Sequence, residues 1–274
     1  MKATIFLTAF VGFLMGFDSG LMAGGADFKN ANPSPGSEQC ALCQAQADFK
    51  NFWHAVRSDP QRKKLYVPQV VIWLNGAPGA GKGTNASYIQ DIFSITQPPL
   101  VTSDLLNSPE FKAIKDSGKL VSDSDVTGLV FSNILKKQYV RGVVVDGYPR
   151  TETQSECIKL LCDAIEEMGL ESDFRVVILD VSEETSIERQ LGRGRRAMAN
   201  NESVRRTGNG DLLPVRATDS DPDAARTRYQ VFMKQTDDAL RILQGRFPCC
   251  RIQADGSFDD VRQNIYDSLG NPKN

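Results

Sequence analysis

The hydrophobic pattern changes character at Val70. Val70–Leu74 is an unbroken apolar run rich in β-branched residues, the mark of a strand buried on both faces. Leu100-Val101, Gly142–Val145, Phe174–Val181 and, more weakly, Cys250–Ala254 repeat that signal. Helical periodicity fills the gaps. Thr153–Met168 carries Ile158, Leu161, Ile165 and Met168 on one face and stops at Gly169. Pro222–Gln244 starts after Asp219-Ser220-Asp221 with proline in its first turn, and Phe258–Leu269 spaces Val261, Ile265 and Leu269 by four. Strands alternating with helices predict an α/β fold in three layers, with a central parallel sheet of about five strands.

Upstream of this region the pattern differs. Ala45–Arg57 reads as a helix, with Phe49, Phe52, Trp53 and Val56 at the spacing of a packing stripe. His54, the only histidine, lies off that stripe and reads as structural or solvent-facing. Asn32-Pro33-Ser34-Pro35-Gly36 is a turn-rich linker, and residues 27–66 form an extension. Residues 1–26 resemble a secretory signal: Lys2, an apolar run over Ala3–Phe17, then Ala23-Gly24-Gly25-Ala26. The run is short for a membrane span, which needs about 20 residues. The expectation is export or organelle targeting, with a retained anchor or a cytoplasmic chain as alternatives.

Composition adds limits. Among 274 residues, 41% are hydrophobic and 24% charged, and the formal net charge is −2. No global positive field points to nucleic acid as a partner. Of six cysteines, Cys40 and Cys43 make a CxxC that no second CxxC follows, so a zinc ribbon is not expected. Cys157 and Cys162 are five apart on a helix and point in different directions. These thiols read as scattered, or as partners of an opportunistic disulfide.

The chemistry begins straight after the first strand. Gly76-Ala77-Pro78-Gly79-Ala80-Gly81-Lys82-Gly83-Thr84 leads into a helix. Glycines let the backbone turn tightly and aim several N–H groups at one anion, and the helix adds its positive end. Lys82 is placed to reach the outer phosphates of a nucleotide. Generic phosphate loops carry Ser or Thr directly after the lysine as a magnesium ligand. Here Gly83 stands there and Thr84 follows, so phosphates and water must hold most of the metal's coordination shell. No Asn-Lys-x-Asp guanine signature is present.

This string resembles the phosphate loop of the adenylate kinases, within the nucleoside monophosphate kinase family. Three further strings agree: Val143-Val144-Val145-Asp146-Gly147-Tyr148-Pro149-Arg150-Thr151 with Gln154, Gly118-Lys119-Leu120-Val121-Ser122-Asp123, and Thr102-Ser103-Asp104-Leu105-Leu106. The resemblance covers about residues 67–270. It implies a sheet core, a short insert for the acceptor monophosphate at about 103–128, and a mobile lid at about 193–217 that closes over the donor.

The resemblance also implies roles. ATP with Mg²⁺ would be the donor and AMP the acceptor, in a monomer with no stable protein partner. Gly79, Ala80, Gly81, Lys82, Gly83, Thr84, Arg189, Arg193 and Phe258 would hold the donor. Thr102, Asn107, Lys119, Leu120, Val121, Gly147, Tyr148, Pro149, Arg150, Gln154, Arg216 and Arg228 would line the acceptor side. Within that set Arg150 would grip the acceptor phosphate, Gln154 would read the adenine edge, and Arg228 would bridge both substrates. Lys82, Asp146, Arg150, Arg189, Arg193 and Arg228 would carry catalysis, with Asp146 organising magnesium-bound water. Arginine suits this work because its planar fork binds phosphate oxygens in pairs. Arg195, Arg196, Arg205 and Arg206 read as a solvated charge run.

The chain departs from the family at two places. The family's arginine after Asp-x-Leu is Asn107 here, in a shortened insert where Lys112 or Lys115 could substitute. The lid lacks the four cysteines that bind zinc in some relatives, so no zinc is expected, and its Gly-, Asn- and Arg-rich composition predicts a flexible loop. Two other readings stay open: a UMP/CMP or broad-range monophosphate kinase, and a module that binds nucleotide without turnover.

Overall fold

The computed structural model describes residues 40–58, 65–107, 109, 111 and 121–270. Residues 1–26, Lys112, Lys115, Lys119 and Leu120 lie outside them, so the readings made there are not addressed by the fold. Among the described residues no helix is long and apolar enough to cross a membrane.

Five parallel strands form one sheet in the order β2-β3-β1-β4-β5. They are β1 (Val70–Gly76), β2 (Leu100-Val101), β3 (Val143–Asp146), β4 (Asp173–Asp180) and β5 (Cys249–Gln253). Each matches its expected run to within one or two residues at either end. β1 sits at the centre and is buried at every position, as a strand covered by helices on both faces requires. Its Trp73 packs against Tyr148 and Phe174, with ring centroids 5.6 and 5.8 Å away.

The helices are α1 (Ala41–Ser58), α2 (Lys82–Ile92), α3 (Thr102–Leu105), α4 (Asp123–Ile134), α5 (Glu152–Glu167), α6 (Glu183–Thr207), α7 (Pro222–Val231), α8 (Asp237–Gln244) and α9 (Phe258–Leu269). Ser122, Thr151, Ser182, Asp221 and Ser257 cap five of them by accepting a backbone N–H two or three residues on. α1 packs on α4 and α5. Phe52 meets Phe131 edge-on at 5.5 Å, Ala45 is fully buried, and the Cys157 thiol donates to the Ala45 carbonyl at 3.6 Å.

Two expectations need correction. Pro222–Gln244 is not one α-helix: Phe232–Thr236 widens into a π turn between α7 and α8. The Thr236 hydroxyl there donates to the Arg150 carbonyl at 3.3 Å, so the extra residue turns a polar group toward the site. The segment 193–217, expected to be a flexible loop, is also not a loop throughout. α6 continues to Thr207 and ends at Gly208 in the left-handed region, with φ of 70°. No proline interrupts it, and Ala197 and Asn201 are buried. Asn201 accepts from Leu213 N at 2.7 Å and donates to Leu213 O at 2.8 Å, while Asn200 donates to Asp211 O at 2.9 Å. These contacts pin the returning chain and override the low helix propensity of Gly192, Gly194 and the asparagines.

Candidate active site

The site lies at the carboxyl ends of β1, β3 and β4, where ligands gather in open parallel sheets. β1 runs into the phosphate loop. At Gly76 (φ 148°) an added Cβ would stand 2.5 Å from the Leu179 carbonyl oxygen. At Gly79 (φ 83°) it would stand 2.8 Å from that of Ser186. Neither position accepts a side chain, so the loop's bend depends on glycine there. Ser186 of α6 donates to Pro78 O at 2.6 Å and fixes the loop from the start of that helix. Gly81 is the N-cap of α2, Ala80 is buried beneath the loop, and Gly83 and Thr84 face solvent.

Lys82 folds over this loop and donates to Gly76 O at 2.6 Å and Ala77 O at 3.2 Å. Desolvation of its ammonium pulls the pKa down to about 8. The charge of Asp146 opposes that pull, and those of Arg150, Arg193 and Arg228 add to it. Asp146 ends β3, and burial pushes its carboxyl above the ordinary range against the attraction of Lys82 and Arg150. Lys82, Asp146, Arg150, Arg193 and Arg228 therefore share one electrostatic neighbourhood, and Arg216 contributes to it at Asp146 and Arg150.

The residues expected on the acceptor side are built on the turn after β3. Gly147 N donates to Leu74 O at 3.0 Å, and the Tyr148–Pro149 bond is cis. Asn75 donates to Pro149 O at 3.0 Å, and the Tyr148 hydroxyl pairs with Thr127 at 2.9 Å. Arg150 donates from Nε to Gly147 O at 2.9 Å, which orients an otherwise exposed guanidinium. Gln154 is buried, accepting from Arg150 N at 2.8 Å and donating to Asp123 Oδ1 at 2.8 Å. Thr151 donates to the other oxygen of Asp123 at 2.7 Å. Thr102 is buried with its hydroxyl unpartnered among the described residues. A buried hydroxyl without a partner is costly, and a bound ligand can supply one. Val121 is half-buried against the core, and Asn107 is exposed in a turn onto Asp104 O.

Two residues expected on the donor side, Arg189 and Phe258, lie at α6 and just after β5. A cleft of about 290 Å³ is lined by Thr185, Glu188, Arg189, Gly192, Arg195, Arg196 and Asp255. Arg195 and Arg196 therefore border a cavity, not only a solvated face. Arg189 donates to Ala254 O at 2.7 Å, Gly256 O at 3.0 Å and Asp255 O at 3.1 Å, tying the helix to the loop after β5. Phe258 opens α9 and is half-exposed, with the Arg262 guanidinium 4.1 Å over its ring.

Sequence reasoning missed Asp219. Its carboxylate is 2% exposed and accepts from Arg193 at 2.6 and 2.8 Å and from Arg228 at 3.1 Å. Arg228 also donates to Gln190 and Thr218. Burial would raise the Asp219 pKa, but Arg193 and Arg228 outweigh it and hold the carboxyl below its usual range. Asp123, Asn75 and Thr236 were missed likewise. Asp123 did stand in a motif string, but nothing local gave it or the others a role at the site.

Magnesium fits this site as a partner of water and phosphate oxygens. Asp146 faces the loop with Asp104 near enough to raise its pKa further, which supplies carboxylate charge for metal-bound water. Among the described residues no group of three or more His, Cys, Asp and Glu side chains could hold a metal directly.

Residues 74–244 match the sequence profile of the family described as Adenylate kinase. An adenylate kinase of Xanthomonas oryzae pv. oryzae (strain MAFF 311018) is 32% identical over 206 residues, covering 72% of this chain and 97% of the relative. One of Deinococcus deserti is 32% identical over 210 residues, covering 73% and 96%. One of Xanthomonas campestris pv. campestris (strain 8004) is 31% identical over 206 residues, covering 72% and 97%. With the glycine loop, the Asp146–Arg150 turn and the arginine cluster in their places, this chain belongs to the adenylate kinase family.

Proposed function

We propose that the chain reversibly transfers the terminal phosphate of ATP to AMP, giving two ADP. The observation that carries this reading is the gathering of arginines around two groups at the mouth of the glycine loop: Arg150, Arg193 and Arg228 act on Lys82, and Arg150 and Arg216 act on Asp146. Phosphoryl transfer needs little covalent help. It needs two anions held in line and their charge neutralised. The loop amides and Lys82 hold the donor phosphates, and Arg150, rigid on its turn, grips the acceptor phosphate. Arg193 and Arg228 exchange Asp219 for phosphate oxygens as the segment 193–217 closes and excludes water. Magnesium, when bound with ATP, neutralises phosphate charge, and Asp146 orients its water shell. Arg189 carries the loop after β5 against the donor base. Gln154 reads the acceptor base by sharing its amide between the base edge and its present partners, Asp123 and Arg150 N.

Lys119 and Leu120 are assigned to the acceptor side by family resemblance alone. The chain acts as a monomer, and residues 1–26 act as a targeting segment. Gel filtration and the mass of the mature N-terminus check these two points.

The test is ADP release from ATP with AMP, CMP, UMP and GMP in parallel, with and without magnesium. AMP is the preferred acceptor on this reading. Preference for a pyrimidine would assign the altered insert at Asn107 to another base. No turnover with any acceptor, on material that binds ATP, would leave a binding module.

A further inference from the structure

The CxxC lies outside everything the phosphoryl-transfer site uses. Cys40 directly precedes α1, and its carbonyl accepts the first helical bond, from Gln44 N at 3.1 Å. Cys43 is one turn on, and residues three apart on a helix share a face. Helix geometry puts their Cα atoms about 5 Å apart, inside the range a disulfide spans without backbone movement. Both are free and exposed.

We propose that Cys40 and Cys43 form a redox-active dithiol that closes to a reversible disulfide by exchange with low-molecular-weight disulfides. The two sulfurs divide the work. The amide N–H groups of Cys43 and Leu42 and the Cys43 thiol act on the Cys40 sulfur and lower its pKa. The same pairing raises that of Cys43. Cys40 is the attacking thiolate and Cys43 the resolving thiol. Cys40 attacks one sulfur of a small disulfide, forming a mixed disulfide and releasing one thiolate. Cys43 then loses its proton and attacks the Cys40 sulfur, releasing the second small thiolate. The protein loses two electrons and two protons, and the small disulfide becomes two thiols.

The other four cysteines are poor competitors. Burial pushes Cys157 and Cys162 up to about 12, and it raises Cys249 and Cys250 as well. Cys43 also stands two residues before Ala45, where α1 locks onto α5, so the bond closes where the helix is anchored.

The experiment equilibrates the full chain with oxidised and reduced glutathione at graded ratios, blocks free thiols by alkylation, and maps the tryptic peptide that holds both cysteines. The expected result is an internal disulfide, two hydrogens lighter, that dithiothreitol reopens. Cys43→Ser should alkylate several-fold faster than Cys40→Ser at the remaining CxxC thiol near neutral pH, because the amides of Cys43 and Leu42 still face the Cys40 sulfur. A peptide that stays dithiol in excess oxidised glutathione, or that ends with glutathione on each sulfur, overturns the proposal. So do equal alkylation rates in the two variants.

Discussion

Raising the pH from 7 to 9 should weaken ATP binding, and Lys82 should be the reason. The folded chain holds this ammonium with a pKa of about 8, against an ordinary 10.5, because it is desolvated with three arginines near it. A triphosphate seated in the loop supplies the missing negative charge and returns the pKa toward its ordinary value. Binding therefore takes up a proton wherever the empty site is neutral. The protonated fraction falls about tenfold between pH 7 and 9, so affinity should fall about tenfold, or about 1.4 kcal/mol. The same shift makes the nucleotide-free protein gain stability as pH rises from about 8 toward 10.5, because the unfolded chain binds the proton more tightly there. Calorimetric titration with Mg-ATP at pH 7, 8 and 9, in two buffers of different protonation enthalpy, reads both affinity and proton uptake. Lys82→Met should bind more weakly with a flat profile. A change in affinity below twofold, or the same pH slope in Lys82→Met, would refute the assignment.

Other outcomes follow from the same geometry. Asp219→Asn removes a buried carboxylate shared by two partly exposed arginines and should cost about 3 kcal/mol in urea unfolding at neutral pH. Because the Asp219 pKa is depressed, this contribution is present above about pH 4 and lost as pH falls through the folded value. The gap between variant and parent should therefore close in acid, and a gap unchanged in acid would contradict the pairing. Gly194→Ala sets two effects against each other: helix propensity favours alanine by about 1 kcal/mol, but its Cβ would collide with the Asp219 carbonyl oxygen. The collision should win and lower the melting temperature, and a rise would mean the turn at Asp219 gives way. Phe52→Ala, which strips the edge-on contact with Phe131, should cost about 2 kcal/mol of unfolding free energy, and a loss below 0.5 kcal/mol would show α1 to be loosely attached. Asn107→Arg should lower the KM for AMP several-fold and leave that for ATP unchanged, whereas an unchanged AMP KM would mean another group already serves the acceptor phosphate.

What could be read from the chain alone was what short-range pattern encodes. The run Val70–Leu74 announces a doubly covered strand because every side chain in it must be apolar, and Gly76–Thr84 announces a phosphate cradle because only glycine tolerates those bends. The Arg193–Asp219 pair could not be read in that way. It spans 26 residues, and nothing local distinguishes Asp219 from the cap at Asp221. The helical course of the segment up to Thr207 was missed for a related reason. Gly192, Gly194 and the asparagines count against a helix one by one, yet Asn201 repays them through the backbone of Leu213, a contact made only once the chain has returned. The π turn at Phe232–Thr236 answers to a carbonyl 86 residues away, at Arg150. Gln154 fits the motif, but its bond to Asp123 crosses 31 residues.

The carboxylate of Asp219 has a consequence for turnover. Two guanidinium groups left bare would grip any polyphosphate hard and surrender it slowly. They are already seated on an anion of the chain's own, so on the proposed mechanism a phosphate must draw them off it and leave that carboxylate short of partners. That opposing cost would bring the open and loaded forms closer in free energy, so the grip proposed to fasten ATP could also let ADP go.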